Sequence, residues 1–216
     1  PADDGAPDVR AERRQRERSN EGGRRLTQVD LGRRGVDRAA AAVERVLRPR
    51  QALARLGIPT PRLVSITRKE LVEEYVEGGD LYRALASGSA DPSLAVGAGA
   101  LTGRLHNGGH VFTDNKAQNY LVREKILLRT DLGFMQKSGS TFARSMDAGS
   151  FLASVIDLAG YRDIEAAFYR GYRSETGRNL PYLSLVIRNI LAAGFSSDSR
   201  TAVRNMMLDS FKLLGA

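Results

Sequence analysis

The chain has 216 residues, of which 42% are apolar and 27% are charged. This composition is ordinary for a globular protein and excludes a fibrous or wholly disordered chain. Cysteine is absent and there are only two histidines, so disulfides, thiolate catalysis and zinc sites built on these side chains are not expected. The formal net charge of +8 comes almost entirely from arginine. It is compatible with an acidic or nucleic-acid partner, although a biased genome would give the same count.

Residues 1–36 carry many charges, glycines and prolines but few large apolar side chains. Such a segment cannot bury enough surface to order itself, so we predict a mobile arm or the remnant of an N-terminal lobe. Further along, no apolar run reaches the ~20 residues that span a bilayer, because Arg188 interrupts the best candidate. We therefore expect no membrane association and a cytoplasmic location.

The first regular elements predicted are a helix and two strands. Apolar residues recur at helical spacing from Asp37 to Leu56, and Pro49 is expected to kink or split this helix. The residues at 62–66 and 70–75 predict two short strands.

The second half is predicted to be mainly helical. Asp80 is a candidate N-cap for a helix over 81–86, and Asp91 opens a longer helix that ends near Asn107. Alternating residues at 120–130 predict a hairpin. Further helices are predicted to begin near Met146, Arg162, Pro181 and Asp198. This order of elements predicts an α+β protein.

A polar constellation follows the helix that ends near Asn107. Asp114, Lys116 and Asn119 have the spacing D-x-K-x-x-N, and Asp131 comes just after an apolar strand. In a phosphoryl-transfer site, one carboxylate orients the acceptor hydroxyl, a cation offsets phosphate charge, and a carboxylate and an amide hold Mg²⁺. Taken singly, each of these residues is also typical of a surface turn that caps its own backbone.

The same residues carry a resemblance to the protein-kinase-like superfamily. The segment around Asp114 resembles its catalytic loop, and the segment that begins at Asp131 resembles its metal-binding segment. The resemblance implies that Asp114 is the catalytic base and that Lys116 contacts the transferred phosphate. It also implies that Asn119 and Asp131 bind Mg²⁺ and that ATP is the phosphate donor.

Residues 71–81 resemble the hinge between the lobes of a kinase. The resemblance implies that the backbones of Glu74 and Val76 bind adenine and that Asp80 reaches the ribose. Glu44 lies in the helix before the hinge and is a candidate for the glutamate that pairs with the ATP-anchoring lysine, although a solvated helix face explains it almost as well.

Asp147 resembles the aspartate that braces the catalytic loop in kinases, with a simple helix N-cap as the alternative. The segment between Gly133 and Asp147 is too short for a full activation segment. This shortness resembles the RIO-type kinases and the small kinase of the KEOPS complex. The implied fold is a minimal kinase-like α+β fold, with an N-terminal-lobe remnant at 37–76 and a helical catalytic lobe at 77–216.

Two usual features of kinases are missing. No lysine precedes Lys69, Arg25 is a poor substitute for it, and Gly22-Gly23 does not match a glycine-rich phosphate loop. The first hypothesis is an ATP- and Mg²⁺-dependent phosphotransferase, a minimal Ser/Thr protein kinase with a protein substrate and a partner protein that completes or activates the N-terminal lobe. The alternatives are a kinase-like scaffold that binds a protein or RNA partner without turnover, and a small-molecule kinase.

Overall fold

The structure is a computed structural model. It describes the chain at residues 35–67, 70–87 and 93–214, with side chains at 43–67, 70–87 and 93–206. The predictions for residues 1–34, including Arg25 and Gly22-Gly23, and those for Lys69 and Asp91 lie outside the described residues.

The fold combines helices with short strand pairs and is α+β, as predicted. The helices are α1 (Gly35–Arg55), α2 (Leu81–Ala86), α3 (Ser93–Asn107), α4 (Thr141–Ser154), α5 (Tyr161–Thr176), α6 (Leu183–Phe195) and α7 (Ser197–Leu214). The strands are β1 (Leu63–Ile66), β2 (Leu71–Glu73), β3 (His110–Val111), β4 (Tyr120–Arg123), β5 (Ile126–Arg129) and β6 (Gln136–Lys137), with a 3₁₀ turn at Ala117–Asn119. Within these described residues, no helix has the length and apolar character needed to cross a membrane.

Contacts divide the chain into two units, one made of Pro1–Glu44 and Leu63–Glu73 and the other of Arg45–Arg62 and Glu74–Ala216. In the first unit, β1 and β2 form an antiparallel hairpin with Leu63 opposite Glu73. This hairpin confirms the two strands predicted before the hinge. The lobe boundaries predicted at residues 36 and 76 stay predictions.

The helix α1 runs through Pro49 without a break, so a split at this residue is wrong. A proline removes one backbone hydrogen-bond donor from a helix. Tertiary contacts of the residues after the proline can offset the stability that is lost. Leu53 is fully buried in the core, and Arg50 donates a hydrogen bond to the carbonyl oxygen of Pro61 at 2.7 Å. These contacts hold the last turns of α1 in place after the proline.

Two glycines allow α3 and α5 to pack with their backbones in contact. A Cβ atom added at Gly99 on α3 would collide with the carbonyl oxygen of Phe168, and one added at Gly171 on α5 would collide with that of Val96. Beside this contact, the rings of Phe151 and Phe168 stack with centroids 4.4 Å apart. The α3–α5 pair therefore requires small residues at its crossing.

The hairpin predicted at 120–130 is confirmed. The strands β4 and β5 pair with Tyr120 opposite Arg129, and Glu124 in the turn has a positive φ of 57°. A second antiparallel pair joins β3 to β6. The chain leaves β3 toward Asp114 and leaves β5 toward Asp131, so each candidate carboxylate lies within three residues of the end of a strand.

The helix starts predicted near Arg162, Pro181 and Asp198 are confirmed within two residues, whereas the start near Met146 is wrong. The helix α4 begins five residues earlier, at Thr141. Its N-cap is Ser140, whose hydroxyl oxygen accepts a hydrogen bond from the backbone N–H of the third helical residue at 3.1 Å.

We expect Gly171→Ala to lower the free energy of unfolding by about 3 kcal/mol, because the added methyl group meets backbone that cannot move aside cheaply. Gly194→Ala on α6 is the matched control, since nothing lies within 4 Å of a Cβ atom there. Helix propensity alone should make that variant more stable, by up to ~1 kcal/mol. Denaturant unfolding measures both variants, and a similar stability for the two would contradict the close α3–α5 contact.

Candidate active site

The predicted residues Asp114, Lys116 and Asn119 lie in one loop between β3 and β4. The ammonium of Lys116 lies 2.8 Å from Asp114 Oδ1. The amide nitrogen of Asn119 donates to the carbonyl oxygen of Asp114 at 2.9 Å and to its Oδ2 at 3.3 Å. The side chain of Asp114 is 27% exposed and that of Lys116 is 40% exposed. These side chains therefore form one polar cluster that is open to solvent.

Two residues of the site have strained backbones. Thr113, directly before Asp114, has a φ of 70°, and Asp131 has a φ of 53°. For residues other than glycine, this left-handed region costs roughly 1–2 kcal/mol, and such strain persists only where the surroundings enforce it. The folded chain therefore imposes the backbone conformation of Asp131 and of the residue directly before Asp114.

A buried arginine that sequence analysis missed lies against the loop. Arg129, the last residue of β5, is fully buried, and its guanidinium donates to the carbonyl oxygens of Asn119 and Asp114, both at 2.8 Å. Burial lowers the pKa of Arg129, and the carboxylates of Asp147, Asp131 and Asp114 act in the opposite direction. The field of one guanidinium thus reaches Asp114 and Asp131 together. The sequence feature that could have revealed Arg129 is a single charged residue at the end of an apolar strand.

Asp147 braces the loop before Asp114 from α4. Its carboxylate is fully buried and accepts hydrogen bonds from the backbone N–H groups of Phe112 at 2.7 Å and Thr113 at 2.6 Å. The predicted brace is therefore present. The alternative of a simple N-cap is wrong, because Asp147 lies inside α4 and the cap is Ser140.

Further polar contacts that sequence analysis missed connect the loop to the helices. His106 on α3 lies with Nε2 3.1 Å from the Asp147 carboxylate and with Nδ1 3.1 Å from the hydroxyl of Tyr172 on α5. Ser154, at the end of α4, accepts a hydrogen bond from the backbone N–H of Ala117 at 2.9 Å. Polar side chains within otherwise apolar helix faces were the signal for these contacts. Three helices thus contribute to holding the loop.

The hinge candidates lie in the same unit as the loop that carries Asp114. The carboxylate of Glu74 accepts a hydrogen bond from the backbone N–H of Arg62 at 2.8 Å and pairs with Arg123 at 2.6 Å. These two contacts hold the pKa of Glu74 below its ordinary value, and the hydrogen bond from Arg62 has the larger effect. Asp80 caps α2 by accepting a backbone hydrogen bond at 2.9 Å. Within the described part of the chain, the backbone of Val76 makes no hydrogen bond.

The candidate hinge segment is attached directly to the β4–β5 hairpin at Gly79. The backbone N–H of Val122 on β4 donates to the carbonyl oxygen of Gly79 at 2.9 Å. A Cβ atom added at Gly78 would collide with the carbonyl oxygen of Val122. Glycine at this position therefore permits the close approach of the two segments.

Glu44 is exposed on α1 and belongs to the first unit. None of the residues described in that unit is a lysine. The pairing of Glu44 with an ATP-anchoring lysine therefore stays a prediction.

The residues present fit a Mg²⁺ ion that is shared with a nucleotide. Among the described residues, no group of three or more histidine, aspartate or glutamate side chains could hold a metal ion. Mg²⁺ in a phosphotransferase needs fewer protein ligands, because phosphate oxygens and water complete its shell. Asn119 donates through its nitrogen, which leaves Oδ1 as an acceptor. The Asp131 carboxylate makes no hydrogen bond within the described chain.

No protein-family model matches this chain. Among solved structures, WaaP in complex with acyl carrier protein aligns over 74% of this chain and 75% of that chain, with a TM-score of 0.50 and 18% identity. Identity at this level shows the fold alone. The chain has a protein-kinase-like fold in a minimal form, as the sequence predicted.

Among curated proteins, the EKC/KEOPS complex subunit BUD32 of Encephalitozoon cuniculi (strain GB-M1) is 32% identical over 123 residues. The match covers 57% of this chain and 61% of the length of that relative. Together, the sequence match and the fold similarity show that the chain resembles minimal protein-kinase-like proteins.

We expect Asp147→Asn to lower the free energy of unfolding by about 3 kcal/mol, because two buried backbone donors lose a charged acceptor. Asp163→Asn is the matched control: this aspartate is exposed in the first turn of α5, where its charge contributes at most ~1 kcal/mol. Chemical denaturation at neutral pH measures both variants. Similar losses for the two would contradict a bracing role for Asp147.

Proposed function

We propose that this chain is a Mg²⁺- and ATP-dependent phosphotransferase, a minimal Ser/Thr protein kinase. The observation that carries the proposal is the cluster in which Asp114 contacts both Lys116 and Asn119. Asp131 interacts with the same buried guanidinium as Asp114. A base, a cation and two metal ligands are the parts that phosphoryl transfer requires. Similarity to kinase-like proteins supports the same class of function.

In this proposal, Asp114 orients the acceptor hydroxyl and takes its proton. The hydroxyl oxygen forms a bond to the γ-phosphorus of ATP as the bond to the leaving ADP breaks. Lys116, beside Asp114, offsets charge on the transferred group. Asn119 Oδ1 and the Asp131 carboxylate hold Mg²⁺, which when bound neutralises charge on the phosphates.

The nucleotide base is proposed to bind at the hinge. The unpaired N–H of Val76 and the backbone of Glu74 are the proposed adenine contacts. Asp80 is the proposed ribose contact, and its role as a helix cap leaves room for this. A carboxylate has about four lone-pair sites, so the hydrogen bond that caps α2 and the contact of Oδ2 with Arg83 at 3.3 Å leave acceptor capacity for a ribose hydroxyl.

We propose a protein hydroxyl as the phosphate acceptor. Lys116 supports this choice, because a lysine at this position is commonest in the Ser/Thr protein kinases that the chain resembles. BUD32 is by its name a subunit of a complex, and WaaP is in complex with acyl carrier protein. A protein partner, as substrate or as a completing subunit, is therefore part of the proposal. The cytoplasmic location expected from the sequence stays a prediction.

The second candidate function is a kinase-like scaffold that binds a nucleotide, together with a protein or RNA partner, without turnover. The observation that favours it is that no lysine precedes Lys69 in the given sequence. In kinases, an earlier lysine is the usual cation that contacts the α- and β-phosphates. Both functions require nucleotide binding, and phosphate transfer separates them.

Asp131→Ala should remove the Mg²⁺-dependent part of ATP binding. For the wild-type chain, ATP with Mg²⁺ should raise the melting temperature more than ATP with a chelator, because ligand at about 100 times Kd stabilises by ~2.7 kcal/mol. The variant should respond equally to both solutions, whereas Asp163→Asn should behave as the wild type. Thermal melting measures the shift. A Mg²⁺-dependent shift that persists in Asp131→Ala would exclude this residue as a metal ligand.

Asp114→Asn should lower the rate of phosphate transfer by roughly 10²- to 10⁴-fold, the usual contribution of a general base. Nucleotide binding should stay nearly intact, because the amide still contacts Lys116 and Asn119. Transfer of label from γ-labelled ATP to a generic protein substrate measures the rate, with Asp163→Asn as the control. Full activity in Asp114→Asn would rule it out as the base. Nucleotide binding without transfer by the wild-type chain would favour the scaffold.

A further inference from the structure

Arg129 connects the end of β5 to the main chain of the catalytic loop. Its two terminal nitrogens divide their hydrogen bonds, one to the carbonyl oxygen of Asn119 and one to that of Asp114, each at 2.8 Å. These are the residue proposed to bind the metal and the residue proposed to act as the base. The planar guanidinium presents donors on two nitrogens at a fixed spacing, whereas the three donors of a lysine ammonium share one nitrogen and have no fixed fork geometry.

The side chain also packs between aromatic rings. The guanidinium carbon lies 4.3 Å from the ring centre of Phe112 and 5.1 Å from that of Tyr120. Both rings are fully buried. Stacking of this kind restricts the rotation of the guanidinium and keeps it out of water.

The burial of Arg129 is costly for the fold. A buried charge has to be compensated, and within the described chain its Nε is a buried donor with no hydrogen-bond partner. The carboxylates of Asp147, Asp131 and Asp114 offset part of this cost, although burial still lowers the pKa of Arg129. A core that served stability alone would be equally well filled by an apolar side chain. The cost is instead matched by hydrogen bonds to the backbone of Asn119 and Asp114 and by packing against the rings of Phe112 and Tyr120.

We propose that Arg129 is a positioning residue, which fixes the backbone of Asp114 and Asn119 so that their side chains face a shared Mg²⁺ and nucleotide. The effect of Arg129 on catalysis rests on the proposed function, whereas the hydrogen bonds by which Arg129 holds the loop do not depend on it. Arg129 acts through these two residues and touches neither metal nor substrate.

Hydrogen exchange of the full chain tests the hold on the loop. The reporters are the backbone amides of Asn119, which donates to Lys116, and Thr130, which donates to Asn119. In Arg129→Lys we expect both amides to exchange at least about tenfold faster, because lysine keeps the charge but not the two-pronged contact. The amides of the α3–α5 pair should change less.

The matched control is Arg188→Lys. Arg188 is also a buried arginine, but it bonds to Tyr161 and Glu165, away from the loop. This control should accelerate exchange in α5 and α6 and leave the two reporter amides at the wild-type rate. Loop exchange in Arg129→Lys that matches the wild type, or that matches Arg188→Lys, would overturn the proposal.

Magnesium titration tests the consequence for binding. In Arg129→Lys, the Mg²⁺ concentration that gives half of the ATP-dependent melting shift should rise at least about tenfold, and in Arg188→Lys it should not change. An unchanged midpoint in Arg129→Lys would overturn the link to the metal site. If the wild-type chain shows no Mg²⁺-dependent ATP binding, the proposed function fails, and the exchange measurement still decides whether Arg129 holds the loop.

A measurement on the wild-type chain covers the case in which Arg129→Lys does not fold. Nuclear magnetic resonance of the Arg129 guanidinium, identified through its proximity to the Phe112 and Tyr120 rings, should give separate signals for Nη1 and Nη2. Two hydrogen bonds to fixed carbonyl groups slow the rotation that averages these signals. A single averaged signal would overturn the proposal without any variant.

Discussion

A buried carboxylate requires hydrogen-bond donors, and Asp147 takes two of them from the backbone directly before Asp114. Two donors within a two-residue segment fix the direction in which the chain leaves Phe112. Thr113 then adopts a left-handed backbone conformation that its side chain would otherwise disfavour. His106 contacts the same carboxylate. The orientation of Asp114 therefore depends on an interaction that originates in α4.

Arg129 acts on the same loop with the opposite charge. It donates to carbonyl oxygens of the loop, whereas Asp147 accepts from its N–H groups. The two buried ions also attract each other. Each ion would be costly alone, and the polar backbone of the loop joins them in one network. Removing either ion leaves the other under-compensated, so the loop and the core around it should be energetically coupled.

The sequence predicts the local part of this arrangement and misses the long-range part. The contact between Asp114 and Asn119 spans five residues, so the spacing of the motif is enough to predict it. His106 and Asp147 are 41 residues apart, and no local pattern pairs them. A family resemblance points to Asp147. The sequence nevertheless predicts a helix start near Asp147 that is wrong, because a carboxylate in the middle of a helix is rarely fully buried. Arg129 was missed because a strand-end arginine usually faces solvent.

The attachment of the candidate hinge residues to the β4–β5 hairpin fixes the position of the proposed nucleotide site within the second unit. Glu74 pairs with Arg123 on β4, and Gly79 bonds to Val122 on the same strand. The hairpin continues directly into Asp131. The candidate groups for the base of the nucleotide and for its metal are thus fixed to one element within one unit. Their spacing is set by the four-residue strands β4 and β5.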